Sequence, residues 1–123
     1  MSHPLFEIVT TTAGAISIRH KLVNEIMHNP VGPWAEANAL YIEQSKLAER
    51  FIEPTTEELV VYDVGLGAAA NSLAVLHCHR GLNRPRPLHL VSFEREMELL
   101  RFALEHSHHF AHFAGYEPAL LSI

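Results

Sequence analysis

Cysteine is nearly absent from this 123-residue chain. Cys78 stands alone, so no internal disulfide can form, and a reduced, cytoplasmic setting is expected. Positive charge is also scarce, with nine Lys and Arg against fourteen Asp and Glu and a net charge of −5. A domain that grips nucleic acid mainly by neutralising phosphates is basic, so that mode of binding is excluded as the main one. The nearest thing to a basic patch is Arg80, Arg84 and Arg86, spread over a short loop. No apolar run approaches the roughly eighteen residues that span a bilayer, so no membrane role is expected. The opening Met1-Ser2-His3-Pro4 lacks the basic and apolar regions of a secretory signal. Internal repeats and linker-like tracts are lacking as well. What remains is 48% hydrophobic residues in a length suited to one core. One domain over 1–123 is expected, with a preamble over 1–53 and a second part over 54–123.

In the preamble, Phe6 to Thr12 and Ala15 to Ile18 are rich in β-branched residues. Ala13-Gly14 between them reads as a hairpin turn. A short polar segment follows, broken by Asn29-Pro30 and Gly32-Pro33. From Trp34 to Phe51, apolar residues recur at helical spacing, with Glu36 in the first turn. The pattern then changes. Leu59 to Val64 is a nearly continuous apolar run, as in a strand buried on both faces. Gly65-Leu66-Gly67 ends it, and Ala68 to His79 reads as a helix with Gly81 as its C-terminal cap. Leu88 to Phe93 is a second strand ending at Glu94. Glu96 to about His112 is a second helix, stopped by Gly115 and Pro118. Strand, helix, strand and helix at this spacing specify an α/β fold with a parallel pair. Two strands leave sheet edges bare, so the expectation is a chain that lacks a C-terminal half or completes its sheet with a partner or second copy.

The chemistry concentrates in Asp63-Val64-Gly65-Leu66-Gly67 and in Glu94 at the tip of the neighbouring strand. Glycines let the chain turn sharply and let a ligand lie against bare backbone. The helix start behind them offers N–H groups to an anion. An acid closing the second strand can accept hydrogen bonds from ribose hydroxyls. Gly65-Leu66-Gly67-Ala68-Ala69-Ala70 also satisfies the G-x-G-x-x-A form of an NAD(P)- or FAD-dependent oxidoreductase module. Against that, Asp63 would repel a pyrophosphate and favour a cationic sulfonium. A non-catalytic βαβ interaction module, in which the glycines serve only the turn, is a further alternative. His77-Cys78-His79 and the His106–His112 cluster do not offer the paired cysteines on separate elements usual in structural zinc sites, and no metal site is expected.

The motifs resemble those of the MnmC-type tRNA wobble-uridine methyltransferases. Asp63-Val64-Gly65-Leu66-Gly67-Ala68-Ala69-Ala70-Asn71-Ser72-Leu73 is similar to the family's (E/D)-x-G-F-G-T-G-L-N-F-L, and Val91-Ser92-Phe93-Glu94-Arg95 to its (I/V)-S-(F/I)-E-K. Glu25 to Glu36 resembles E-x-x-H-S-x-x-G-A-x-x-E, and Thr11-Thr12-Ala13-Gly14-Ala15 stands where T-x-D-G-S is common. The matches keep their order over roughly residues 8 to 105. The resemblance implies a Rossmann-like parallel sheet, the start of a methyltransferase fold of about seven strands, preceded by a hairpin and a helix. It implies S-adenosylmethionine as cofactor and tRNA as partner. Asp63, Gly65, Leu66, Gly67, Asn71 and Glu94 would shape the donor pocket, with Glu94 on the ribose. Glu25, His28 and Gly32 would lie near the methionine end. Ala69 replaces the family's glycine and Ala13 its aspartate. The later D-x-F-x-P segment, which supplies an acid beside the reacting amine, has no counterpart here, so no catalytic residue is identified.

Overall fold

Alternating β-branched residues place Phe6 and Ile18 on the inner face of a hairpin, and both are buried. In a computed structural model that describes residues 2–23, 25, 26, 33–110, 113–116, 118 and 120, β1 (Phe6–Thr10) pairs antiparallel with β2 (Ile16–His20). Gly14, at φ 83, closes the turn between them, and its N–H donates to the Thr11 carbonyl at 2.9 Å. A third strand, β3 (Glu25–Ile26), extends this sheet beside β2. The polar composition of that segment gave no sign of it. His3 pins the hairpin's start: its Nδ1 accepts the Leu5 N–H at 3.0 Å, and its ring stacks on Phe6.

The single helix expected from Trp34 to Phe51 is three pieces. α1 (Pro33–Glu36) runs into a π-helical stretch, Ala37–Glu43, and α2 (Leu47–Phe51) begins after a break. Two local causes are visible at the break. Ser45 Oγ donates to the Tyr41 carbonyl, competing with the backbone ladder. Lys46 adopts the left-handed region, at φ 55. The wider winding leaves Leu40 and Tyr41 exposed, while Ala37, Leu47 and Phe51 stay buried.

β4 (Leu59–Val64) and β5 (Leu88–Phe93) form a parallel pair in which Leu59 faces Leu88 and Val64 faces Phe93. α3 (Ala70–Arg80) connects them. The fold is thus mixed α/β, with a parallel two-stranded sheet beside an antiparallel one, as the start of a Rossmann-like arrangement has. One expectation fails here. β4 is not buried on both faces: Leu59 and Asp63 are buried, but Val60, Tyr62 and Val64 are exposed. Its apolar run is matched by cover on the α3 side alone.

α4 (Glu98–Glu105) is shorter than its apolar pattern suggests. A 3-10 turn (Ser107–His109) follows, and Phe110 is extended. His106 Nδ1 lies 2.9 Å from the Phe102 carbonyl, which also accepts the His106 N–H. The imidazole so placed ends the helix well before Gly115. His108 lies in that 3-10 turn rather than in α4, and His112 is outside the described residues. Gly81 does follow α3, but at φ −78 rather than in a left-handed cap.

The main core joins distant parts of the chain. Phe6 and Ile18 from the hairpin meet Leu66 and Ala69 from the glycine bend, Leu100 and Phe102 from α4, and Phe113. A smaller cluster packs Leu47 and Phe51 of α2 against Leu59 and Val75. The hairpin thus supports the bend directly.

Candidate functional site

The bend lies at the carboxyl ends of two adjacent parallel strands, where open α/β sheets bind ligands. Gly65 at φ 82 and Gly67 at φ 54 occupy backbone regions that side chains resist. A Cβ placed on Gly65 would meet nothing within 4 Å, so protein packing does not demand glycine there. Its backbone borders open space. That space is a hollow of about 570 Å³ lined by Val64, Gly65, Phe93, Glu94 and Arg95.

The loop's hydrogen bonds are largely made within the protein. The Phe93 carbonyl accepts the Gly65 N–H at 2.8 Å and the Leu66 N–H at 3.2 Å. Gly67 N–H donates to Glu94 Oε2 at 2.9 Å, and Ala69 N–H to the Leu66 carbonyl at 2.8 Å. Glu94 Oε1 accepts the Glu96 N–H at 3.2 Å. An anion seeking the Gly67 N–H would meet the Glu94 carboxylate already there. The sequence suggested a row of open N–H groups; those of Gly65, Leu66, Gly67 and Ala69 have acceptors.

Asp63 points elsewhere. It shares the inner face with Leu59 and Val61, four and two residues back. Its carboxylate accepts hydrogen bonds from Ser72 Oγ of α3 and, at 3.2 Å, from Ser92 Oγ of β5. Ser72 and Ser92 also contact each other at 2.7 Å. Asp63 and Ser72 are buried and Ser92 is exposed; the triad ties helix, strand and bend together, so Asp63 acts on the hollow by fixing its wall. Repulsion of a pyrophosphate therefore falls to Glu94. Ser72 and Ser92 were not singled out from sequence. The signal was strand parity: Ser92 pairs with Asp63 in register and shares its face.

Leu66 turns its side chain into the main core, leaving only its backbone near the bend. Asn71 lies in the first turn of α3, and its Oδ1 is buried without a hydrogen-bond partner. Ala69, at the family's glycine position, is fully buried at φ 66, a conformation glycine adopts more easily. Glu25 sits exposed on β3, opposite His20, with no described contact to the bend. His28 and Gly32 lie outside the described residues.

Of the three arginines, Arg84 is exposed, while Arg80 at the end of α3 and Arg86 are engaged within the protein. Arg80 lies over the Tyr116 ring, 5.3 Å from its centroid. Arg86 donates to the Glu57 carbonyl at 2.8 Å and contacts Glu53. Burial pushes the Cys78 thiol pKa up. Among the described residues, no three of His, Cys, Asp and Glu gather as a metal site, and no helix is long and apolar enough to cross a membrane.

No protein-family model matches the sequence, and no curated protein matches it. Among solved structures, the fold is similar to the crystal structure of MnmC2 from Aquifex aeolicus. The TM-score is 0.63 at 25% identity, over 81% of this chain and 37% of that one. The chain is thus MnmC-like in fold, and it spans little more than a third of that neighbour's length.

Proposed function

We propose that this chain holds S-adenosylmethionine against the Gly65–Gly67 bend and belongs to an enzyme that methylates the aminomethyl group of wobble uridine in tRNA. One observation carries the reading: a backbone open to space at Gly65 stands beside the Glu94 carboxylate at the tip of the adjacent parallel strand. The motif resemblance and the MnmC2 likeness support it.

The residues present fit the donor. Glu94 has further lone pairs for ribose hydroxyls, and its charge suits a ligand bearing a sulfonium and an ammonium. Gly65 lets the ligand approach the main chain. Asp63, held by Ser72 and Ser92, keeps the bend in place. Bound there, the cofactor supplies an electrophilic methyl group. The protein's contribution is to align it and to exclude water. The carboxylate base that would take the acceptor amine's proton has no counterpart among the described residues. On this reading the sheet is completed by polypeptide outside the 123 residues, and the setting is cytoplasmic.

Isothermal titration with S-adenosylhomocysteine tests the donor site. Wild type should bind, and Glu94→Ala should bind about ten- to a hundredfold more weakly, as for loss of a charged hydrogen-bond acceptor. Binding of NADH with none of S-adenosylhomocysteine would overturn the reading in favour of a dinucleotide. Binding of neither by the folded chain would favour a non-catalytic module. For the acceptor, a nucleoside digest of tRNA from a deletion strain should lack the methylated aminomethyluridine.

A further inference from the structure

His3 sits at the joint between the hairpin and α4. Its ring stacks on Phe6 with centroids 5.3 Å apart and meets Phe102 edge-on at the same distance. Those two phenyl rings lie 5.7 Å apart in the main core. The His3 side chain is 21% exposed, so one side of it still meets water. Its Nδ1 accepts the Leu5 N–H at 3.0 Å and the Phe6 N–H at 3.3 Å. A backbone N–H can only donate, so Nδ1 presents a lone pair and the ring's hydrogen is on Nε2. The ordering extends to the neighbouring strand. The His3 carbonyl accepts Lys21 Nζ at 2.7 Å, and the Leu5 carbonyl accepts the Lys21 N–H at 2.8 Å. One ring nitrogen thus fixes the chain entering β1, and that chain holds the residue leaving β2.

We propose that His3 is an acid-sensitive latch, which fastens the start of the hairpin to α4 while its ring is neutral and lets go when the ring gains a proton. An imidazolium has two N–H donors and no acceptor. Its Nδ1 hydrogen would point at the Leu5 and Phe6 N–H groups, donor against donor, and the segment must swing away to relieve the contact. Histidine gains its proton between about pH 8 and pH 5. The latch therefore contributes above that range and is lost as pH falls through it.

The charged neighbours do not reverse this. Glu98 of α4 lies 3.8 Å from Nε2 and favours a cation there, but it is 42% exposed and its Oε1 already accepts from Arg101 at 2.6 Å. Lys21 opposes a second positive charge beside its own. His106 flanks Phe102, and its Nδ1 faces a carbonyl, so it keeps that bond when protonated. His20 flanks Phe6, but its Nδ1 accepts the Leu22 N–H at the outer turn, away from α4. Glu7 and Arg19 pair with each other on the opposite face of the strands. Phe6 and Ile18 share their cluster with Leu66 and Ala69 of the glycine bend, so loosening at His3 reaches the bend whatever the bend binds. The proposal does not depend on the donor reading.

Amide hydrogen exchange by NMR on the complete chain tests it, with each rate divided by that of the same amide in an unstructured peptide. Between about pH 8 and pH 5, protection of Leu5, Phe6 and Lys21 should fall about tenfold, while that of Leu73 in α3 should hold. The fall should track the His3 ring's own titration, read from its nitrogen chemical shift. His3→Asn keeps a side-chain oxygen that can accept the same N–H groups and has no proton to gain, so its protection should hold at both pH values. His3→Ala should lack protection at both. A fall that His3→Asn retains would overturn the proposal and assign the acid sensitivity elsewhere. So would a midpoint that departs from the His3 ring's, an equal loss in α3, or wild-type protection that does not change with pH.

Discussion

Gly67 and Glu94, 27 positions apart in sequence, are joined by a hydrogen bond of 2.9 Å from backbone N–H to carboxylate oxygen. The glycine bend thus carries an internal anion on the N–H that a phosphate would otherwise use. Glu94→Gln keeps an acceptor within reach, whereas Glu94→Ala leaves the Gly67 N–H to water. Glu94→Ala should lower stability by about 1 kcal/mol and Glu94→Gln by less. Urea unfolding monitored by circular dichroism checks the difference.

Gly65→Ala separates backbone strain from ligand room. The added methyl meets no protein atom within 4 Å, so its cost to folding is the left-handed backbone, about 1–2 kcal/mol. Its effect on S-adenosylhomocysteine should exceed any loss of folded population, because the methyl enters the space assigned to the ligand. Titration well below the midpoint of thermal unfolding distinguishes the two. Unchanged affinity would move the ligand away from Gly65.

The Asp63 triad predicts an order of damage. Ser72→Ala removes the closer donor to a buried carboxylate and should cost about 2 kcal/mol; Ser92→Ala, at 3.2 Å, should cost less. The double variant should fall short of the sum of the two, since the hydroxyls also contact each other. Chemical denaturation of the three variants checks this cycle.

Cys78 should react slowly. Burial raises its thiol pKa, so less thiolate is present at a given pH than in an unfolded chain. Alkylation by iodoacetamide at pH 8 should be slower in the native protein than in urea. The linked stability is present below the unfolded thiol pKa and declines as pH rises through it, because the unfolded chain ionises first. Cys78→Ser should remove that alkaline decline.

The central unit was legible because its signals are local and strong. Leu59 to Val64 is an apolar run closed by glycines, and Leu88 to Phe93 repeats the pattern, so strand, bend, helix and parallel partner could be placed. The break at Lys46 and the early end of α4 turn on single side chains, Ser45 and His106, bonding to carbonyls four residues back. Periodicity is blind to such competition. β3 has two residues, too few for any period. Within the site, Gly65 and Glu94 came together as their spacing suggested. Asp63 did not face the hollow, and the parity it shares with Leu59 and Val61 could have indicated that. Composition alone misjudged the cover over Val60 and Tyr62, because a residue's apolarity does not say whether a neighbour is present.

The core that seats the hairpin against the end of the chain also sets a timetable for synthesis. Phe6 packs 5.7 Å from Phe102, ring to ring, and shares its cluster with Phe113. At ribosomal speeds of roughly 5–20 residues per second, the first ring leaves the exit tunnel some 5 to 20 s before its partners. During that interval the hairpin's inner face is wet and open to other nascent chains. A trigger-factor-like chaperone holding the first twenty or so residues until α4 emerges would raise the soluble yield, and slowing translation after β2 would lower it.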